Sequence, residues 1–409
     1  MLEASEKAQR THNPIRHIVD NLKPPVDHPK PMMNLALGDP TVHGNLLCPT
    51  VLEDAVIEAI RGKKMNGYLP SVGLPAARKA IAEYSTLPGF PVHEDDVVIA
   101  SGCSGALDLV LSGLLNPGDN LLVPQPGFPL YQVIAESLGG GVKHYALDAS
   151  KNWECDTVHM DSLVDNKTKA ILICNPSNPC GSNYTADHLR AVVAVAQKHG
   201  LPIIADEIYG RCVFKGVHTP IHTVAGVVPV LQVGGIAKEF VVPGWRVGWL
   251  IFRDGSPDER LSAVKNGIKS LTQLILGACS LVQGALPRLL SPEAGSEDAT
   301  SLAEFHTHYM QVLKENASIA ERAGEECPEI SVIVPEGAMY AMVGLNIDML
   351  DGVTDDADFA KQILTEENVF FLPGKVFGMD NYVRLVMCMP ASKMVEAFDR
   401  IKLFCNNHS

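Results

Sequence analysis

Much of what would place this chain in a special class is missing from it. No uninterrupted apolar stretch approaches the roughly 18 residues a membrane helix needs. The N-terminus, Met1-Leu2-Glu3-Ala4-Ser5-Glu6-Lys7, lacks the apolar core of a secretory signal, and its acids argue against a transit peptide. The 10 cysteines are scattered singly with no C-x-x-C pair, which disfavours a zinc centre or a disulfide framework and points to reduced thiols; no metal site is expected. Basic residues are in deficit, 33 Lys and Arg against 47 Asp and Glu, and the net charge of −14 argues against nucleic acid or an anionic membrane as partner. Internal repeats and low-complexity tracts are absent, and the final Cys405-Asn406-Asn407-His408-Ser409 is neither a peroxisomal nor a retention signal. These absences read as a soluble protein of the cytoplasm, with the mitochondrion left open.

What is present is globular. The 409 residues are 46% hydrophobic and 20% charged, a length that favours two cores. Residues 1–45 are rich in Pro, His and Asn and read as an arm with one short strand, Met33 to Leu37; a helix pattern begins at Thr50. Between Asp95 and Arg253, short apolar runs alternate with helical stretches: Val97–Ala100, Asn120–Val123, Ala170–Cys174, Pro202–Ala205, Pro229–Val233 and Val247–Phe252. Such runs are buried-strand signals, and helices between them supply crossovers, so the expectation is an α/β fold whose large domain is a mostly parallel sheet flanked by helices. Asp258 to Leu290 reads as one long helical region weakened at Gly277, followed by a polar break at Ser291–Asp298 and a helical run through Arg322. Strand candidates Ser331–Val334, Ala341–Leu345 and Tyr382–Val386, with a helix near Asp358–Gln362, complete a smaller α+β unit.

Several segments carry chemistry. Ser101-Gly102-Cys103-Ser104-Gly105 joins a strand to a helix through small residues, which lets backbone N–H groups and the helix dipole face an anion. Asn175-Pro176-Ser177-Asn178-Pro179-Cys180-Gly181 follows an apolar run, and Asp206-Glu207-Ile208-Tyr209 ends another. Lys238 stands alone in Gly234-Gly235-Ile236-Ala237-Lys238, ahead of Pro243-Gly244-Trp245-Arg246-Val247-Gly248-Trp249. Arg384 sits in the middle of an apolar strand, which is unusual for a charge without a partner.

The ordered set Asn-Pro-x-Asn-Pro-x-Gly, Asp-Glu-x-Tyr, Lys, Arg-x-Gly resembles the fold-type I (class I/II) pyridoxal 5'-phosphate (PLP) aminotransferases, and within them is most similar to the tyrosine aminotransferases. It extends from about Asn13 to Arg384. The resemblance implies an aspartate aminotransferase-like fold with a large PLP-binding domain over 46–298 and a small domain built from 1–45 and 299–409. It implies that Lys238 holds PLP as a Schiff base and then moves a proton between Cα and C4', and that Asp206 keeps the pyridinium nitrogen protonated so that the ring is an electron sink. Asn178 and Tyr209 bond the phenolic oxygen. Gly102, Cys103 and Ser104 cup the phosphate with Arg246, and Phe128 stacks on the ring. Arg384 grips the substrate α-carboxylate, with Asn178 and the backbone of Gly38 beside it. Tyr68 reaches the phosphate of a neighbouring subunit, which implies a homodimer with shared active sites.

Substrate choice rests on less. Aspartate-specific members of the family carry a second arginine after the lysine motif, whereas Leu271 to Pro287 contains none. The arm Asn13-Pro14-Ile15-Arg16 resembles the tyrosine enzymes, in which this segment covers the substrate; Asn13 and Arg16 are its candidate contacts. The expectation is transamination between an aromatic amino acid, with broad tolerance, and a 2-oxo acid. The same residues also suit a carbon–sulfur β-lyase or another aminotransferase, and a non-catalytic binding protein on this fold is a third reading. Glu239, next to the lysine, departs from the basic or polar residue common in mammalian relatives and is expected to face solvent.

Overall fold

The apolar runs become the strands of a mixed sheet. The structure, a computed structural model, describes residues 2–409. After β1 (Met33–Asn34), the strands are β2 (Val97–Ser101), β3 (Asn120–Gln125), β4 (Gly141–Asp148), β5 (Glu154–Cys155), β6 (Thr168–Cys174), β7 (Ile203–Asp206), β8 (Val230–Gly235) and β9 (Val247–Arg253). They form an eight-stranded sheet in the order β2-β9-β8-β7-β6-β3-β4-β5. The interior pairings β8·β7, β7·β6, β6·β3 and β3·β4 are parallel, while β9 runs antiparallel between β2 and β8.

The central strands read as unbroken apolar runs because both faces are covered. In β6, Leu172 packs with Val123 and Leu231 on one face, while Ile171 and Ile173 pack with Tyr145 and Ile203 on the other. The C-terminal ends of β2, β3, β6, β7 and β8 all lie at one edge, where an open α/β sheet gathers a ligand.

A second, antiparallel sheet follows. Beyond the helix Glu297–Glu326 come β10 (Ile330–Ile333), β11 (Tyr340–Leu345), β12 (Val369–Phe370), β13 (Leu372–Pro373) and β14 (Tyr382–Val386), and the sheet runs β10-β11-β14-β13. β1 pairs with β12, which brings an N-terminal segment to this part of the molecule.

Some expectations differ from the structure. Asp258 to Leu290 is two helices, Ser262–Leu271 and Ser280–Leu290, parted where Gly277 takes a φ of 80° that a helix interior does not allow. The strand expected over Met33–Leu37 is assigned only to Met33–Asn34. Leu35 bonds Phe370 through its N–H and Val386 through its carbonyl, so the segment changes partners instead of continuing one ladder. The helix expected to end at Arg322 continues to Glu326. β4, β5 and the helix Ala391–Asn407 had not been anticipated. Among the described residues no helix is long and apolar enough to cross a membrane.

Candidate active site

A cavity of about 200 Å³ lies at the sheet edge, and most of the residues singled out above line it. Asp206 ends β7, only 4% exposed. Its carboxylate accepts from the Tyr131 hydroxyl at 2.8 Å, the Ile208 N–H at 3.3 Å and the Cys103 thiol at 3.6 Å. Burial raises the Asp206 pKa and these three donors pull against it. Among the described residues none offers it a cation within 4.0 Å, the pairing that would hold it ionised.

Lys238 sits on the one-turn helix Ile236–Glu239 after β8, and its Nζ donates to the Gly38 carbonyl at 2.5 Å. Tyr209 is buried in the turn after β7; its hydroxyl is 2.8 Å from that of Tyr340. Burial first, and the Tyr340 phenol second, push the Tyr209 phenol well above its ordinary pKa.

Arg384 lies mid-strand in β14, 2% exposed, clamped between the rings of Tyr340 at 4.1 Å and Phe377 at 4.6 Å. Its Nη1 donates to Asn178 Oδ1 and its Nη2 to the Ala36 carbonyl, each at 3.0 Å, while Nε has no partner. Burial lowers its pKa. A buried guanidinium bonded only to neutral acceptors, with its Nε–H and one N–H on each Nη unused, suits a carboxylate from outside the chain.

The strand-to-helix turn after β2 prepares an anion site. Gly102 has a φ of 73° and begins the helix Gly102–Leu114, and Ser101 at its N-cap makes no side-chain capping bond, so first-turn N–H groups are left for a ligand. A Cβ on Gly102 would meet the Arg246 guanidinium, and one on Gly248 would meet the Gly102 and Cys103 backbone, so both glycines are required by close approach. Arg246 is exposed on its solvent side, with φ 54°, and donates to Pro243 and Ser101 carbonyls at 3.0 and 3.3 Å. Trp249 is buried and Trp245 half-buried beside it.

These residues fit PLP. A buried acid lacking a cation suits a ring N–H⁺, uncapped helix N–H groups beside an arginine suit a phosphate, and Lys238 lines the same cavity. Phe128 lines the wall, edge-on to Tyr131 with ring centroids 5.7 Å apart.

Three of the expected residues are placed elsewhere. Asn13 caps the helix Pro14–Asp20 by accepting from the Arg16 N–H at 3.1 Å, and Arg16 pairs with Asp20 at 3.2 Å on the surface; from this arm it is Ile15 that lines the cavity. Tyr68 is 94% exposed and does not line it. Glu239 does not face solvent as expected: it is buried, and the Tyr84 hydroxyl donates to its carboxylate, because the one-turn helix points successive side chains in different directions. Sequence reading missed Tyr131, Tyr340 and Phe377. Tyr131 lies three residues beyond Phe128 without a pattern of its own, and an aromatic at the start of an apolar strand, as Tyr340 is, gives no signal that it will clamp an arginine.

The sequence matches the family model of aminotransferase class I and II over residues 30–401. It is 41% identical over 405 residues to tyrosine aminotransferase of Homo sapiens, covering 99% of this chain and 87% of that one. It is 40% identical over 411 residues to tyrosine aminotransferase of Dictyostelium discoideum, covering 100% and 97%. The fold is similar to the crystal structure of tyrosine aminotransferase from Leishmania infantum, with a TM-score of 0.92, 37% identity, and 100% and 99% of the two chains covered.

Proposed function

The chain belongs to the class I and II aminotransferases, and from that premise we propose that it transfers the amino group of an aromatic L-amino acid, tyrosine foremost, to a 2-oxo acid with PLP as cofactor. The observation that carries the reading is the convergence of Lys238, cation-free Asp206 and carboxylate-free Arg384 on one cavity.

When bound, PLP supplies an electron-withdrawing ring that accepts the charge released when a bond to the substrate Cα breaks. The chain supplies the rest. Asp206 holds the ring-nitrogen proton, and Tyr131 and the Ile208 N–H keep that carboxylate aimed. Tyr209 and the Asn178 amide donate to the phenolic oxygen. The Cys103 and Ser104 N–H groups, the Ser104 hydroxyl, Gly102 and Arg246 take the phosphate, and Phe128 gives the ring a flat neighbour. Arg384 takes the α-carboxylate with the backbone of Gly38 alongside, which leaves the ε-amine of Lys238 as the base and acid at the substrate Cα.

Specificity follows from the cations. Three line the cavity, Lys238, Arg246 and Arg384, and each already has a role, so this chain offers none for a side-chain carboxylate. Ile15, Phe128 and Ile208 make apolar walls, which discriminate weakly, by about 1–3 kcal/mol per methylene, so breadth over tyrosine, phenylalanine and aliphatic donors is expected. Asn13 and Arg16 reach the substrate only if the first turn of the arm gives up its own bonds. Exposed Tyr68, with Leu47, Leu274 and Ile275 also exposed, supports a homodimer in which Tyr68 completes the partner's phosphate site. A matrix of amino donors against 2-oxo-acid acceptors tests the reading: tyrosine should exceed aspartate in kcat/KM by about tenfold or more. Aspartate ahead of tyrosine, or ammonia released with no 2-oxo acid present, would contradict it.

A further inference from the structure

Behind the lysine turn, on the side away from the active cavity, lies a second cavity of about 250 Å³. Its walls include Tyr84, Glu207, Arg211, His218 and Glu239. Glu239 is 5% exposed; two separate elements reach its carboxyl and a third lies close by. Tyr84, on the helix Pro75–Ser85, donates to it; His306, on the helix Glu297–Glu326, places Nε2 at 3.6 Å; and Arg211, in the turn after β7, lies over the Tyr84 ring at 4.7 Å. Phe240, the next residue, packs edge-on against the His306 ring with centroids 5.4 Å apart.

We propose that Glu239 is a positioning residue for Lys238: its buried carboxyl fastens the lysine-bearing turn to Tyr84, beside His306, and the fastening loosens when that carboxyl loses its proton. The inference rests on the reading of Lys238 as the reacting lysine.

The turn needs such a tether. It is a helix of four residues whose N-cap, Gly235, has no side chain to cap with, so it has little stability of its own. Lys238 is tied on one side to Gly38, and Glu239 is the tie on the other. A carboxylate here takes a charge-assisted bond from the Tyr84 hydroxyl and attracts Arg211, which has no carboxylate within 4.0 Å among the described residues, but it loses more by leaving water, so ionisation favours the open turn over the closed one.

The groups facing Glu239 set where the change falls. Burial pushes its pKa up to about 7, against the Tyr84 bond and the Arg211 charge. Burial and Arg211 hold His306 down at about 4, so it is neutral near pH 7. Tyr84 is pushed well above its ordinary value by burial and by Glu239, as is Cys212, which follows Arg211. Glu207 and His218 face it across the cavity, and Lys238 precedes it on its own turn. The cavity gives water, and hence protons, a route to the carboxyl.

Hydrogen exchange over residues 236–242 of the holoenzyme, corrected for intrinsic exchange, tests this between about pH 6 and pH 8. Wild type should lose protection with rising pH, on the order of tenfold, with the fall levelling off near pH 7. Glu239→Gln, which keeps shape and cannot ionise, should stay flat at the low-pH level. Tyr84→Phe, which removes a bond favouring the carboxylate, should move that levelling-off to higher pH. A wild-type profile that is flat or rises with pH, or a fall that persists in Glu239→Gln, overturns the proposal. Peptide mapping of the borohydride-reduced holoenzyme checks the premise separately: a label on a residue other than Lys238 overturns the proposal there, whatever the exchange shows.

Discussion

Asp206 and Glu207 are neighbours at the end of one strand, and Lys238 and Glu239 are neighbours on one turn, yet each pair divides between two cavities. Asp206 and Lys238 enter the cavity shared with Arg384, while Glu207 and Glu239 enter the one behind. Burial raises the pKa of both acids of the first pair, but the surroundings differ. Around Asp206 the chain supplies hydroxyl, thiol and N–H donors and no cation. Around Glu207 it supplies the Ile221 N–H at 2.9 Å and the Gln232 amide at 2.7 Å, with Arg253 held behind Gln232. Glu207 is satisfied by its own chain and serves the fold. Asp206 is left for a charge that comes from outside, which distinguishes a site from a core polar group.

The contrast breaks most sharply at Asp206. An Asp206→Asn variant keeps an acceptor for Tyr131 but cannot hold a pyridinium proton, and turnover should fall roughly 10²–10⁴-fold, while Glu207→Gln should stay near wild type in stopped-flow half-reactions. Equal losses in both would erase the distinction. Next in size is Arg384→Lys, which loses the planar fork; KM for amino donors should rise roughly 10- to 100-fold with a smaller change in kcat.

The smallest effect concerns stability. Burial raises the folded pKa of Glu207 from 4.5 to about 7, so the stability its proton supplies is complete below about 4.5 and is lost as pH rises through about 7. His218 and His222 shift the other way, to about 4 and about 3, so the raw pH profile mixes both signs and the difference between proteins is the readable quantity. Thermal scans should show Glu207→Gln gaining a few degrees on wild type between about pH 5 and pH 8. A difference that does not change with pH would assign that titration elsewhere.

Particular residues show what was legible in the sequence. The runs that became β2, β3, β6, β7, β8 and β9 were clear because those strands are apolar on both faces, and Asp206 stood out because a charge ended one of them. β4 was hidden by Gly141, Lys143 and His144, small or polar residues in a first half of the strand that is only partly buried on either side. The direction of Glu239 was illegible because a four-residue helix has no period to read. The bonds of Asn13 and Arg16 within their own helix were a local competition, cap and ion pair against substrate, that spacing alone does not decide.

The division between the two cavities is tested most directly by borohydride reduction of the holoenzyme followed by peptide mapping, in wild type and in Lys238→Ala. Lys238 and Asp206 line one cavity, so one label is expected, on Lys238, with none trapped in the variant. A label on another lysine, or an adduct still trapped in Lys238→Ala, would mean that the cofactor is not held where Asp206 and Arg384 converge.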